Sequence, residues 1–94
     1  TAYPSASERR AALILSKGLE AGKALLAAGE TNTAPVVARI REVIESEPLA
    51  RVDYVQAVDA DTIEPVETAA KRTLFAVAVY IGKTRLIDNF YTGE

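Results

Sequence analysis

The spacing of apolar residues changes at Pro48, and this change limits which secondary structures the two parts of the chain can form. Before Pro48, apolar residues recur every three or four positions, the period of a helix with one buried face. After Pro48 they recur at every second position or run continuously, which is typical of strands. The sequence therefore predicts helices followed by strands, an order that favours an α+β domain.

The first predicted helix extends from about Ser7 to Ala28. Gly29 suits the left-handed residue that closes many helices. The buried face is predicted to be the stripe Ala12, Leu15, Leu19, Gly22 and Leu26.

The second predicted helix begins with Thr33 as its cap and has Pro35 in its first turn, where a missing N–H is tolerated. Pro48 restricts the backbone of Glu47, so the helix should end near Ser46 or Glu47. Its buried face is predicted to contain Val36, Val37, Ile40, Val43 and Ile44. Because a short loop joins the two helices, we expect them to pack antiparallel.

The first predicted strand is RVDYVQAVD, residues 51–59. Its alternation predicts one face with Val52, Tyr54, Gln56 and Val58, and another with Asp53, Val55 and Ala57. The segment TLFAVAVYI, residues 73–81, is nearly all apolar and predicts a central strand covered on one face and paired on both edges.

The third predicted strand is TRLIDNF, residues 84–90, which returns antiparallel after a hairpin turn at Gly82-Lys83. Leu86 and Asp88 should share one face, and Asp88-Asn89 should end the strand by bonding local backbone. Together these elements predict an α+β domain with two antiparallel helices packed on a small three-stranded antiparallel sheet.

Composition argues against several functions. A length of ninety-four residues suits one domain. Eleven basic and thirteen acidic residues are spread along the chain and give a net charge of −2, which favours binding to neither nucleic acid nor an anionic membrane. The longest apolar run, Leu74 to Ile81, is far shorter than the ~20 residues of a membrane-spanning helix. Without His or Cys, the chain cannot form a His-based triad, a thiolate nucleophile or a Cys-ligated metal site.

Three groups of residues could form sites, and each favours a structural interpretation. Asp59 and Asp61 could bind Mg²⁺ but lack further oxygen ligands at the required spacing, so we interpret them as turn residues. Glycines at 18 and 22 match no phosphate-binding pattern and have the spacing of close helix packing. Arg85 with Asp88 could clamp a ligand, but a surface ion pair is the commoner use. We predict no catalytic residue and no metal ligand.

Three stretches read together resemble one known family. They are AYPSASERRAALILSKGL (2–19), LARVDYVQAVDADTIEPVE (49–67) and RTLFAVAVYIGKTRLIDN (72–89). In this order and spacing they resemble the carboxy-terminal domain of the pantothenate synthetase family, also called pantoate–β-alanine ligases. VDYVQAVDADTIEPV and TRLIDN are the most specific parts.

The resemblance implies a role in making pantothenate. Enzymes of this family form pantoyl-adenylate from ATP and pantoate with release of pyrophosphate, after which β-alanine attacks and AMP leaves. Mg²⁺ accompanies the ATP. A Rossmann-like amino-terminal domain holds ATP and pantoate and forms the homodimer interface, and the small carboxy-terminal domain is a lid over it.

The chain also departs from the family pattern. The family's Ser-Ser-Arg-Asn motif precedes the segment equivalent to AYPSASER, whereas this sequence begins at Thr1 without a Met. We therefore expect residues 1–94 to be the lid domain, with the amino-terminal domain absent, and to be inactive alone with no bound cofactor. Thr1, Ala2 and Tyr3 are nucleotide-proximal only by adjacency to that motif. Pro4 replaces a usually aliphatic residue.

The alternative is a stand-alone interaction module with the same fold and no catalysis. An upstream reading frame without nucleotidyltransferase motifs would favour that alternative. Family resemblance and the lack of a signal sequence predict a cytoplasmic protein.

Overall fold

The computed structural model describes residues 6–69 and 72–92, in which two helices precede three strands. The strands form one antiparallel sheet in which β2 is central. The predicted α+β arrangement is confirmed. The elements are α1, Ala6–Ala27; α2, Thr33–Glu45; β1, Ala50–Asp59; β2, Thr73–Ile81; and β3, Thr84–Tyr91.

Helix α1 ends at a glycine, as predicted. Gly29 has a φ of +108°, a backbone conformation that residues other than glycine rarely adopt. The N–H of Glu30 donates to the carbonyl of Leu25 at 3.0 Å, and that of Gly29 donates to Leu26 at 3.1 Å. These two hydrogen bonds form a Schellman motif, which satisfies the last carbonyls of the helix.

Two glycines allow the helices to pack closely. A Cβ placed on Gly18 would lie 2.7 Å from Cγ1 of Ile44, and one on Gly22 would lie 2.7 Å from Cγ1 and Cδ1 of Ile40. Since later residues of α1 meet earlier residues of α2, the helices run antiparallel. The prediction that these glycines serve helix packing is confirmed.

The start of α2 differs from the prediction. Asn32, not Thr33, occupies the cap position. Thr33 is buried; its hydroxyl donates to the carbonyl of Val66 at 2.7 Å, and its N–H donates to that of Glu67 at 2.9 Å. Asn32 has the extended backbone of a cap residue, so Thr33 is the first residue of the helix, and its hydroxyl and N–H anchor the loop that follows β1.

The hydrophobic core lies between the helices and one side of the sheet. Helix α2 packs against β1, while α1 lies over β2 and β3. Within this core the rings of Phe75 and Phe90 stack with centroids 5.0 Å apart. Its fully buried larger side chains are Val36, Ile40, Ile44, Phe75, Val77, Val79 and Ile81.

Strand β1 contains a β-bulge that the sequence pattern did not predict. Val52 lies opposite Val79 and Tyr54 lies opposite Ala78, so Asp53 is an extra residue in the ladder. The predicted shared face of Val52 and Tyr54 is therefore wrong. Val52 packs against the core, while Tyr54 lies on the other side of the sheet.

The hairpin between β2 and β3 turns at Gly82, whose φ is +61°, and it closes with Thr84 opposite Ile81. The prediction that Asp88-Asn89 ends the strand is wrong, because these residues pair with Val77 and Ala76 and β3 continues to Tyr91. The local hydrogen bond exists nonetheless: Oδ1 of Asp88 accepts from the N–H of Asn89 at 2.8 Å. In an edge strand this bond does not interrupt pairing with β2.

Candidate functional site

The side of the sheet that points away from α1 and α2, which we call the open face, carries the most distinctive surface of the described residues. Residues directly opposite each other in antiparallel strands share a face, so the register assigns its side chains to cross-strand rows. Two of these rows are Arg51–Tyr80–Arg85 and Tyr54–Ala78–Ile87.

Two further rows complete the open face. They are Gln56–Ala76–Asn89 and Val58–Leu74–Tyr91. Val58 is buried, and Pro65, in the loop after β1, pairs with it in an isolated bridge. Residues 64–66 hydrogen-bond with the outer edge of β1, so the loop extends the sheet beside Val58. The rows containing Tyr54 and Tyr80 are partly exposed.

The two arginines of the open face lie over aromatic rings. The guanidinium carbon of Arg51 is 5.6 Å from the ring centroid of Tyr80, and that of Arg85 is 5.9 Å from the centroid of Tyr54. Both separations fall within the range of cation–π attraction. The arginines are thus held across the sheet instead of extending freely into solvent.

Arg85 has its ion-pair partner in the β-bulge. Its Nε and Nη2 donate to Oδ2 of Asp53 at 3.2 and 2.9 Å. Hydrogen bonding to Asp53 is the main reason that the pKa of Arg85 is raised above its ordinary value. The predicted pairing of Arg85 with Asp88 is wrong, since Arg85 is on the open face and Asp88, three residues along β3, is on the opposite side.

The sequence pattern missed this cluster of Asp53, Tyr54 and Arg85. Asp53 and Arg85 are 32 positions apart in the sequence. The bulge places the carboxylate of Asp53 beside Arg85, and the alternation of apolar and polar residues in β1 does not indicate where this bulge lies. Sequence proximity favoured Asp88 instead.

In the loop after β1, Asp59 is a turn residue, as predicted, whereas Asp61 forms an ion pair. Oδ1 of Asp59 accepts from the N–H groups of Asp61 and Thr62 at 2.8 and 2.9 Å. These backbone donors, that of Thr62 first, lower the pKa of Asp59. Asp61 instead accepts three hydrogen bonds from Arg72, which joins the two ends of the loop.

The other candidate positions offer few groups that could bind a ligand or take part in a reaction. A shallow depression of about 260 Å³ on α1 is lined, among described residues, by Arg9, Ala12, Leu13 and Ser16, which offer one cation and one hydroxyl. Thr1, Ala2 and Tyr3, predicted to be nucleotide-proximal, lie outside the described residues. Within residues 6–69 and 72–92, no three acidic side chains are grouped as a metal site would require.

Neither α1 nor α2, over the residues described, has the length and apolar content of a membrane-spanning segment.

Comparison with known proteins identifies relatives along nearly the whole chain. The family model for pantoate-beta-alanine ligase matches residues 1–91. Pantothenate synthetase of Heliobacterium modesticaldum is 51% identical over 87 residues, covering 93% of this chain and 31% of that protein. The enzyme of Ruminiclostridium cellulolyticum is 47% identical over 88 residues, covering 94% and 31%.

A solved structure gives the same result for the fold. The crystal structure of pantothenate synthetase from Thermus thermophilus superimposes with a TM-score of 0.85 and 27% identity, covering 95% of this chain and 32% of that one. The chain thus spans about a third of the length of its relatives, which fits the carboxy-terminal domain expected from the sequence. From its fold and the family match over residues 1–91, the chain belongs to the pantoate-beta-alanine ligase family.

Proposed function

We propose that this chain is the carboxy-terminal lid domain of a pantothenate synthetase, the ATP-dependent ligase that condenses pantoate with β-alanine. The observation that carries the proposal is the match over residues 1–91 to relatives named for this activity, of which the chain covers about a third. The amino-terminal Rossmann-like domain is then the chain's main partner.

The proposed reaction has two steps. The pantoate carboxylate attacks the α-phosphorus of ATP, pyrophosphate leaves, and a pantoyl-adenylate forms. The amine of β-alanine then attacks the acyl carbon and AMP leaves. Mg²⁺ would accompany ATP and offset the charge of its phosphates. In this proposal, the amino-terminal domain makes most of the contacts to ATP, Mg²⁺, pantoate and β-alanine.

The lid domain contributes by closing over the bound pantoyl-adenylate. A mixed anhydride such as pantoyl-adenylate is hydrolysed by water, so covering it protects the intermediate for β-alanine. Excluding water also strengthens the electrostatic interactions inside the closed site. The fold is consistent with this role, since the two helices pack closely at Gly18 and Gly22 and one hydrophobic core joins them to the sheet.

The isolated chain is proposed to be inactive. Its sequence has no His or Cys, and the arginines of the open face are already engaged with Tyr80, Tyr54 and Asp53. The full-length enzyme is proposed to be a cytoplasmic homodimer formed through its amino-terminal domain.

A domain exchange tests this function. Residues 1–91 of this chain would replace the matching third of the Heliobacterium modesticaldum enzyme, and AMP release from ATP, pantoate and β-alanine would be measured. We expect the chimera to retain activity within about a hundredfold of the parent enzyme, since misplacing reacting groups by about 1 Å costs on that order. The controls are the parent truncated before the exchanged third and this chain alone.

Each control addresses one part of the proposal. AMP release by this chain alone would show that the inactivity is wrong. A chimera that folds as a dimer but is no faster than the truncated parent would show that the chain is not a lid, and would favour the stand-alone interaction module.

A further inference from the structure

The central strand is apolar on both sides. Its helix-facing residues form the core, and its open-face residues include Leu74, Ala76 and Ala78. A strand covered on only one side alternates apolar with polar residues, whereas one covered on both sides is apolar throughout. Strand β2 therefore has the composition of a strand that is covered on both sides.

The open face has an apolar centre. In the row Tyr54–Ala78–Ile87, Ala78 is fully buried, Tyr54 is half-buried and Ile87 is 58% exposed. Tyr91, two rows away on the same strand, is 55% exposed. Between them lies the row Gln56–Ala76–Asn89, whose outer residues are polar and exposed, so the apolar centre is the row Tyr54–Ala78–Ile87 alone.

The edge of the open face is cationic and already ordered. Arg51 and Arg85 are held over tyrosine rings, and Arg85 is also held by Asp53. Arginine and tyrosine are enriched at the energetic centres of protein interfaces. Because these side chains are fixed in place, less conformational entropy is lost when a partner binds them.

The dimensions of the open face suit a contact between domains. Three strands of ten, nine and eight residues present roughly 400 Å² on one side, which falls within the per-side share of typical inter-domain interfaces. Leu13, the most exposed large apolar residue described, lies on α1 in the depression that it shares with Arg9, Ala12 and Ser16, on the helix side of the sheet and away from the open face.

We propose that the open face, centred on Tyr54, Ala78 and Ile87, is the surface on which the remaining part of the enzyme packs when the domains close. The inference rests on the proposed function. The occupant is assigned from length, because relatives are about three times as long as this chain and, in the proposed function, the lid closes over the other two-thirds of the enzyme. A second copy of the chain is the competing occupant.

Cysteine labelling in the chimera tests the proposal, because this chain contributes no cysteine of its own. I87C places a thiol on the open face, and L13C is a matched control on α1, since the native residues are 58% and 61% exposed. Maleimide labelling of each peptide would be followed by mass spectrometry, with and without ATP and pantoate. If substrates close about nine-tenths of the molecules, labelling of I87C should slow about tenfold, while that of L13C changes less than about twofold.

A charged residue at position 87 gives a second test, in which the activity of the chimera is measured. In the active chimera, I87E should lower kcat/KM about tenfold because a carboxylate in an apolar contact is poorly solvated. L13E should change kcat/KM by less than about twofold, as surface substitutions away from contacts do.

Several results would overturn the inference. Equal labelling of I87C with and without substrates would do so, as would protection of L13C alone, which would assign the contact to α1. Protection of I87C that depends on protein concentration but not on substrates would identify a second copy as occupant. An active chimera with unprotected I87C removes only this inference, whereas an inactive chimera removes the proposed function and the inference together.

Discussion

At the scale of single residues, Gly22 shows how closely the helices approach. A Cβ at this position would lie 2.7 Å from two atoms of Ile40 and 3.3 Å from Cγ1 of Val36, and both neighbours are fully buried. Alanine improves helix propensity by up to about 1 kcal/mol, but overpacking costs about 1–3 kcal/mol. We therefore expect G22A to lower the free energy of unfolding by about 1–2 kcal/mol in urea denaturation.

A double variant distinguishes overpacking from a helix effect. I40V removes Cδ1, so the cost of G22A should be smaller in the I40V background than in the native one. A24G, at an exposed position on the same helix, should lose about 1 kcal/mol from propensity alone. Stabilisation by G22A would mean that the helices can separate to admit the methyl group.

Ile63 is strained in the loop after β1. Its φ is +63°, which a β-branched residue rarely adopts, and its side chain is 60% exposed. Such strain costs about 1–3 kcal/mol, so I63G should raise the free energy of unfolding by about 1 kcal/mol after the entropic cost of glycine. The midpoint of thermal unfolding should rise by roughly 4–8 °C.

I63A is the matched control, because it removes the exposed side chain but still disfavours positive φ. Equal stability of I63G and I63A would show that the loop relieves the strain in another way.

At the scale of elements, the loop after β1 depends on the ionised form of Asp59. Backbone donors lower its pKa in the folded state, so ionisation stabilises the fold above the unfolded pKa of about 3.9. This stabilisation is lost as pH falls through the lower, folded pKa. We expect the thermal midpoint of the native chain, relative to that of D59N, to fall as pH decreases below about 4.

D59N keeps an acceptor oxygen but does not titrate, so every other carboxylate cancels in the comparison. A constant difference between the two proteins from about pH 6 to about pH 3 would contradict the role of Asp59 ionisation.

The regular elements were predictable because each depends on local spacing. The period of α1 placed its buried stripe correctly, and Gly29 and Gly82 marked two of the turns. The departures arise where distant groups compete with a local signal. The sequence around Thr33 resembles that of a helix cap, but the hydroxyl of Thr33 donates a hydrogen bond to the carbonyl of Val66, 33 positions away.

The candidate site was less predictable than the fold. Its rows join strands that are distant in sequence, so their composition appears only once the register is known. The ion pair of Asp53 and Arg85 depends on a bulge that local alternation cannot reveal. One signal was available: the unbroken apolar run of β2 is what a strand covered on both sides would show.

At the scale of the whole molecule, stability depends on one small core. Phe75 is fully buried in the central strand and stacks on Phe90 of the edge strand. Phe→Ala in a core costs about 3–5 kcal/mol, while a chain of this length has roughly 5–14 kcal/mol in total. We expect F75A to lose about 3–5 kcal/mol, and thus a large part of its resistance to urea.

F90A provides the comparison, because Phe90 keeps 8% exposure. Its loss should be smaller than that of F75A. Equal losses would indicate that the stacked pair contributes as a unit, which the double variant would then show as non-additivity.

The β-bulge at Asp53 means that β1 contains one residue more than its pairing with β2 requires. Val52 and Tyr54 already lie opposite the consecutive residues Val79 and Ala78. A chain shortened by this one codon would keep its core side chains on their present side and would lose the carboxylate that holds Arg85. Deletion of Asp53 is therefore expected to preserve the fold while removing the ion pair that orders Arg85 on the open face.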